Sequence, residues 1–180
     1  MYHPIRQVGP LQEIDPMSCH LLKFDGGSRG NPGLAGCGFV ILSPVVRATV
    51  VEKGERFERA TNNVAEYEGI ITGLIWAADN GIRNLVIEGD SMLIVEQLKG
   101  NYKAGKMRES YIRTMAMTTR FDYVAVRHVY RAENALADAL ANEAMDRGPF
   151  VRVLREVQRR EPDMAATNMG FMTYVNVSGI

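Results

Sequence analysis

Apolar residues change their period several times along this chain, and each change marks an element. The run Leu21-Leu22-Lys23-Phe24 stops at Asp25, and Gly26-Gly27-Ser28-Arg29-Gly30-Asn31-Pro32-Gly33 follows. This predicts a strand over 20–25 that ends at a carboxylate, then a turn. An apolar segment predicts a second strand over 36–42, and a weakly alternating one a third over 48–57. Short connections make these three an antiparallel meander. Thr61-Asn62-Asn63 then opens a helix, since a Thr or Asn oxygen caps exposed amides. Val64, Tyr67, Ile71, Leu74 and Ala78 recur at helical spacing, Ile70 and Ile75 widen the stripe, and Gly81 ends it. Leu85-Val86-Ile87 predicts a short, fully apolar strand over 84–89, parallel to the first strand and central.

The second half repeats the alternation. Helices are predicted over 92–99 and 107–120, with a loop between them, and a last strand over 123–129. A final helix runs from 132 or 133 to 145, with Leu136, Leu140 and Ala144 on one face, and Gly148-Pro149 stops it. Residues 1–18 carry Pro4, Pro10 and Pro16 without periodicity and read as an arm, flexible or draped on a partner. Beyond the final helix, Phe150, Val151, Leu154 and Val157 suggest a short amphipathic helix, and 171–177 an added strand. The expectation is an α/β fold: a five-stranded mixed sheet flanked by helices, with three antiparallel strands followed by parallel ones. An arm over 1–18, a domain over 19–147 and an extension over 148–180 divide the chain. Mixed sheets of this kind form their sites at strand ends, where order or direction changes.

Composition narrows the class. The 180 residues are 46% hydrophobic, enough for a packed core, which excludes a disordered chain. Lys plus Arg and Asp plus Glu each number 21, so bulk charge does not announce a nucleic-acid binder. A cluster of carboxylates at a metal site would, however, mask basic residues placed elsewhere. Cys19 and Cys37 have neither metal-ligand spacing nor a disulfide framework, which suits a reducing, cytoplasmic or nuclear compartment. No run approaches the ~18 apolar residues of a membrane span. Glu13 and Asp15 interrupt the first 18 residues, which do not read as a signal or transit peptide.

Four carboxylates fall at element ends where an open site could form. Asp25 ends the first strand, Glu66 lies near the start of the first long helix, and Asp90 ends the fourth strand. Asp138 lies in the final helix, two residues from Leu136 and Leu140, and so points off the buried stripe. Hard divalent cations take oxygen ligands and keep room for water and phosphate. Two such ions roughly 3.5–4 Å apart hold the attacking and leaving oxygens of a phosphodiester displacement. Without a cation, converging carboxylates repel and raise one another's pKa. The plainer alternative is four unrelated surface acids.

At this point the chain resembles the type 1 ribonuclease H family, in its shorter form. The resemblance rests on Asp25-Gly26-Gly27-Ser28-Arg29-Gly30-Asn31-Pro32-Gly33, Thr61-Asn62-Asn63-Val64-Ala65-Glu66-Tyr67 and Glu88-Gly89-Asp90-Ser91. It continues in His128-Val129-Tyr130-Arg131-Ala132-Glu133-Asn134 through Asp138 to Asn142, and it spans about residues 20–146. It implies an RNase H-like fold and hydrolysis of the RNA strand of an RNA–DNA hybrid, leaving 5′-phosphate and 3′-hydroxyl ends. It implies two Mg²⁺ ions, with Mn²⁺ as a substitute. Asp25 would bridge both ions, Asp138 would help hold the ion that activates water, and Glu66 and Asp90 would hold the ion at the leaving oxygen. Backbone amides of Gly26, Gly27, Ser28 and Gly30, and the side chains of Asn62 and Asn63, would face the hybrid's minor groove. Thr61 would face a DNA phosphate, although a Thr or Asn here also serves as a helix cap.

Three positions depart from the family pattern. Met92 stands where members often carry a Gln that contacts a 2′-hydroxyl. The loop over 100–108 is short where many bacterial members have a basic protrusion; Lys99, Lys103, Lys106 and Arg108 surround it. His128 precedes Asp138 by the family's spacing for a product-release histidine but falls within a strand, so Arg131 is favoured for that task. Two other readings stay open. One is a non-catalytic RNase H-like module in a larger assembly, docking protein partners through residues 1–18 or 150–180. The other is a nuclease of the same fold acting on DNA.

Overall fold

The computed structural model describes residues 1–10 and 13–157. Eleven elements follow in order: β1 (His3–Gln7), β2 (His20–Arg29), β3 (Gly33–Leu42), β4 (Thr49–Ala60), α1 (Asn62–Asp79), β5 (Asn84–Gly89), α2 (Met92–Leu98), α3 (Arg108–Thr118), β6 (Tyr123–His128), α4 (Ala135–Arg147) and β7 (Phe150–Val153). Short 3₁₀ turns lie at Pro16–Ser18, Gly105–Met107 and Arg131–Asn134. The strands form one mixed sheet in the order β1-β6-β5-β2-β3-β4-β7. Parallel β2, β5 and β6 form its middle, and β2, β3 and β4 the antiparallel meander. The expected α/β architecture therefore holds, with seven strands in place of five.

The two additional strands lie at the edges. β1 pairs antiparallel with β6, within a stretch whose prolines and lack of periodicity gave no strand signal. β7 pairs antiparallel with β4, where the apolar spacing predicted a helix. Gly54 on β4 explains that preference: a Cβ there would lie 2.5 Å from the Phe150 ring, so its absence seats the aromatic side chain. Arg152 then pairs with Glu52 at 3.0 Å and Glu143 at 2.8 Å, fastening β7 to β4 and α4. Residues 171–177, where a further strand was expected, lie outside the described residues.

The first long strand also differs from expectation. β2 does not stop at Asp25 but runs in register with β3 as far as Arg29, so Gly26, Gly27 and Ser28 belong to the ladder and not to a loop. Packing of helices on the sheet requires these glycines. A Cβ on Gly26 would lie 2.2 Å from the Glu66 amide nitrogen, and one on Gly38 would lie 2.6 Å from that of Ala141. The bare backbone lets α1 settle on one face and α4 on the other.

The main core lies between the sheet and α1, α2 and α3, around Leu22, Phe24, Phe39, Tyr67, Ile70, Leu74, Ile87 and Ile94. On the opposite face α4 packs mainly on β2, β3 and β4. There Leu21, Val86, Tyr123 and Ala125 form a second cluster, covered by Tyr2 and Ile14 from the N-terminal segment. Arg47 holds that segment by donating to the carbonyls of Pro16 at 2.9 Å and Cys19. No helix among the described residues is long and apolar enough to cross a membrane.

Candidate active site

Pairing of β2 with parallel β5 ends at Lys23 opposite Glu88, while β2 continues beside β3. β5 stops at that end while β2 runs on, leaving the kind of strand-end crevice where such sheets form their sites. Asp25 sits in it two residues past the last pair, so it occupies the middle of its strand and the end of the parallel pairing. Asp90 follows β5 directly. Glu66 lies in the second turn of α1, and the Gly26 backbone brings that turn against β2.

The structure brings these three together. Each of Asp25, Glu66 and Asp90 offers a carboxylate oxygen, and the three oxygens lie within 4.8 Å of one another. Asp25 accepts a hydrogen bond from the Gly26 amide at 2.8 Å. Its carboxyl is nevertheless pushed up to about 7, first by burial and then by the charge of Asp90, with a smaller contribution from Asp138. Burial, followed by the charges of Asp25 and Asp90, pushes Glu66 up to about 9. Glu66 Oε2 is buried with no hydrogen-bond partner among the described residues. An orphaned buried oxygen, facing two further carboxylates within 4.8 Å, fits a divalent cation: positive charge would supply the missing contact and favour the charged forms of Asp25 and Glu66.

Asp138 lies one turn into α4 and is half-buried. It is near enough to Asp25 to raise that group's pKa, but it is not one of the trio. The Arg131 guanidinium lies 3.6 Å from Asp138 Oδ1 and is 81% exposed. His128 ends β6 with its Nε2 3.2 Å from the Asp90 carbonyl oxygen. Of the two residues weighed for product release, Arg131 is thus the one beside the fourth acid.

The last residue of the His128–Asn134 stretch also belongs to the site. Asn134 is buried, and its Nδ2 donates to Asp90 Oδ1 at 2.9 Å and to the Phe24 carbonyl at 2.8 Å. It ties the turn before α4 to both β2 and the acid after β5. Its only signal in the sequence is a buried-type position occupied by an amide four residues before Asp138.

The residues expected to face a substrate lie beside the trio, with local duties of their own. Thr61 is the N-cap of α1, its Oγ1 accepting from the Val64 amide at 3.3 Å, so Thr61 and not an asparagine caps the helix. The exposed Asn62 donates its backbone amide to Asn31 Oδ1 at 3.1 Å, and Asn63 is half-buried. The Ser28 hydroxyl donates to the Ala60 carbonyl at 2.8 Å and also meets the Gly30 carbonyl. Gly30 adopts φ of 93°, a left-handed conformation that favours glycine, as the chain turns from β2 to β3. Gly27 faces Met145 with ordinary space. Met92 begins α2 and is exposed.

Comparison with known proteins agrees with this arrangement. The family model described as reverse transcriptase-like matches residues 23–144. The ribonuclease HI of Halobacterium salinarum is 45% identical over 125 residues, covering 68% of this chain and 62% of that protein. This chain's match thus spans less than two thirds of that relative's length. The RNase H domain of Rv2228c from Mycobacterium tuberculosis, solved as a fusion with maltose binding protein, superposes with a TM-score of 0.69 at 39% identity, over 73% of this chain and 96% of that one. LC11-RNase H1, solved in complex with an RNA/DNA hybrid, gives a TM-score of 0.66 at 34% identity, over 71% of this chain and 96% of that one. The seven-stranded sheet, the acidic trio at its crevice and these matches agree: the chain belongs to the reverse transcriptase-like family and carries the type 1 ribonuclease H fold.

Proposed function

We propose that this protein is an endoribonuclease that hydrolyses the RNA strand of RNA–DNA hybrids, using two Mg²⁺ ions, with Mn²⁺ as a substitute. The observation that carries the reading is the convergence of Asp25, Glu66 and Asp90 within 4.8 Å, with Asp138 beside Asp25. Support comes from relatives whose names or complexes concern the same reaction and substrate.

Asp25, Glu66, Asp90 and Asp138 would hold the cations. When bound, the cations supply activation of water and neutralisation of charge at the scissile phosphate, giving 5′-phosphate and 3′-hydroxyl products. The protein's task is then orientation. Asn134 fixes Asp90, the Gly26 amide fixes Asp25, and the contact of Gly26 with α1 fixes Glu66. Arg131, exposed at the surface next to Asp138, draws the cleaved phosphate away from the site.

RNA is distinguished from DNA through its 2′-hydroxyl and the shape of the minor groove. The Ser28 hydroxyl spends its proton on backbone carbonyls and so offers lone pairs to a 2′-hydroxyl. Thr61 accepts from Val64 and keeps its own proton for a DNA phosphate oxygen. Asn62 and Asn63 present amides beside them, and the backbone at Gly26, Gly27 and Gly30 admits a close sugar. The features that favoured a non-catalytic docking module are in part used within the fold: residues 3–7 and 150–153 are strands of the sheet.

The test is incubation of the purified protein with a labelled RNA–DNA hybrid and Mg²⁺, beside duplex DNA and the variants Asp25→Asn and Asp90→Asn. Cleavage of the RNA strand alone, lost in both variants, is the expected result. A folded protein that cleaves nothing with Mg²⁺ or Mn²⁺ would overturn the proposal, and cleavage of duplex DNA would reassign the substrate.

A further inference from the structure

Beside Asp25 and Asp90, on their face of the sheet, lies a second charged cluster that offers no ligand to the acidic site. Side chains alternate along strands, so Lys23 shares a face with Asp25, and Glu88 with Asp90. The register places Lys23 opposite Glu88 and Glu88 opposite Arg127, making a row across β2, β5 and β6. Glu88 is 3% exposed. Lys23 Nζ lies 2.8 Å from Glu88 Oε2, Arg127 pairs with Glu88 Oε1, and the Tyr2 hydroxyl donates to the same carboxylate. The Arg127 guanidinium stacks 4.6 Å from the centre of the Tyr2 ring.

The lysine has a further partner. Its Nζ also donates to the carbonyl of Glu133 at 2.8 Å, within the turn Arg131–Asn134. That turn carries Arg131 and Asn134, and it leads into α4 three residues before Asp138. The first half of the turn is closed by its own bonds, the Tyr130 amide donating to the Glu133 carboxylate at 3.1 Å and the Glu133 amide to the Tyr130 carbonyl at 2.8 Å, while Asn134 ties its far end to Asp90 and the Phe24 carbonyl. Lys23 therefore adds a second tie, at Glu133, that holds the start of the turn against Glu88 at the end of β5, beside the tie that Asn134 makes to Asp90. Tyr2 brings the N-terminal segment into the same network, although the family match begins only at residue 23.

We propose that Lys23 is a positioning residue for the nuclease site, and that Tyr2 extends this role to the N-terminal segment by bracing Glu88 and Arg127. The function given to Lys23 rests on the proposed reading of the acidic site. Its mechanical part, holding the turn against β5, does not. Glu88 keeps Arg127 and Tyr2 when Lys23 is replaced, so Lys23→Met leaves no orphaned carboxylate and the fold is expected to survive.

The experiment compares wild type, Lys23→Met, Lys23→Arg and Tyr2→Phe in the full chain. Amide exchange is followed at Tyr130 and Glu133 in metal-free protein, and kcat and KM on an RNA–DNA hybrid with Mg²⁺. In Lys23→Met, exchange at both amides accelerates about tenfold or more, while amides in the middle of β3 and α1 keep their rates, since opening is local. Its kcat falls by about tenfold or more with KM near wild type, because misplaced groups slow the step without weakening binding. Tyr2→Phe moves both readouts the same way by less, and Lys23→Arg restores part of each. Unchanged exchange at Tyr130 and Glu133 overturns the inference, and so does a uniform acceleration across the sheet, the mark of a merely structural lysine. Exchange decides the matter even if the wild-type protein cleaves nothing, a result that counts against the proposed function instead.

Discussion

Asn134 and Asp90 are joined by a 2.9 Å hydrogen bond, and the same amide nitrogen reaches the Phe24 carbonyl one residue before Asp25. A single buried side chain thus ties the acid that follows β5 to the β2 backbone just before Asp25. Asn134→Ala would free the Asp90 carboxylate to turn and leave a buried carbonyl unpaired. The loss is expected to be about 1–3 kcal/mol of stability. For a chain of this length, that lowers the unfolding midpoint by about 2–4 °C for each kcal/mol. Hydrolysis should fall by about a hundredfold, the scale of a small misplacement at a reacting centre. Thermal unfolding and kcat on a hybrid substrate check both. A wild-type kcat in Asn134→Ala would mean that Asp90 is held by other contacts.

The acids should also govern how stability depends on pH. In the metal-free protein Asp25 is raised to about 7 and Glu66 to about 9, both far above the unfolded range near 4. Between those limits the folded state binds more protons than the unfolded one, so stability falls as pH rises. The loss begins near pH 4 and is complete above about 9. The unfolding midpoint in EDTA is expected to drop between pH 5 and pH 9, and saturating Mg²⁺ should flatten that slope by favouring the charged carboxylates. Glu66→Gln removes one of the buried acids, so it should raise the EDTA midpoint at pH 8 while abolishing hydrolysis. A midpoint that climbs with pH in EDTA would contradict this account.

Much of this geometry was legible in the chain because it depends on local patterns. The stripe from Val64 to Ala78 has the period of a helix, and Leu85-Val86-Ile87 is too short and too apolar for anything but a buried strand. The four acids were found because each interrupts or follows such a pattern. What escaped depends on distant partners. β1 and β7 have only five and four residues, and each exists because a free sheet edge accepts it. The glycines after Asp25 read as a loop because glycine favours turns, whereas Gly26 and Gly38 are in strands that two helices approach closely. The network of Tyr2, Lys23 and Glu88 joins residues far apart in the chain, and no local pattern encodes it.

The two neighbouring glycines of β2 give a matched pair for testing that explanation. A Cβ at position 26 would meet Glu66 N at 2.2 Å and Ala65 C at 2.3 Å, both backbone atoms that cannot yield without moving α1. A Cβ at position 27 would meet only Met145 Cε at 3.5 Å, an ordinary contact with a flexible side chain. Gly26→Ala is therefore expected to cost about 1–3 kcal/mol or more by overpacking and to displace Glu66, with hydrolysis reduced. Gly27→Ala should stay within about 1 kcal/mol of wild type, since strand alanine is no worse than glycine. Denaturant unfolding of the two variants separates them, and equal losses would show that contact with α1 is not what position 26 requires.

Asp138 differs from the trio in a way that predicts divided roles among the acids. Asp25, Glu66 and Asp90 share a ligand-sized space, whereas Asp138 stands outside it and pairs at 3.6 Å with an arginine that is 81% exposed. Such an exposed pair contributes about 0–1 kcal/mol, so Asp138→Asn should leave the unfolding midpoint nearly unchanged. A cation held by the trio should also bind almost as well in Asp138→Asn as in wild type. Asp90→Asn removes one of the proposed direct ligands, so its Mn²⁺ affinity should drop by at least about 10–100-fold, which even the loss of an outer partner can cause. Hydrolysis should nevertheless fall in both, since Asp138 faces Asp25 from the side of the crevice where α4 and Arg131 meet it. Calorimetric titration with Mn²⁺, set beside hybrid cleavage, reads the two properties separately. Equal loss of Mn²⁺ affinity in both variants would show that Asp138 shares the trio's cation and does not serve a second one, and full cleavage by Asp138→Asn would remove it from the reaction.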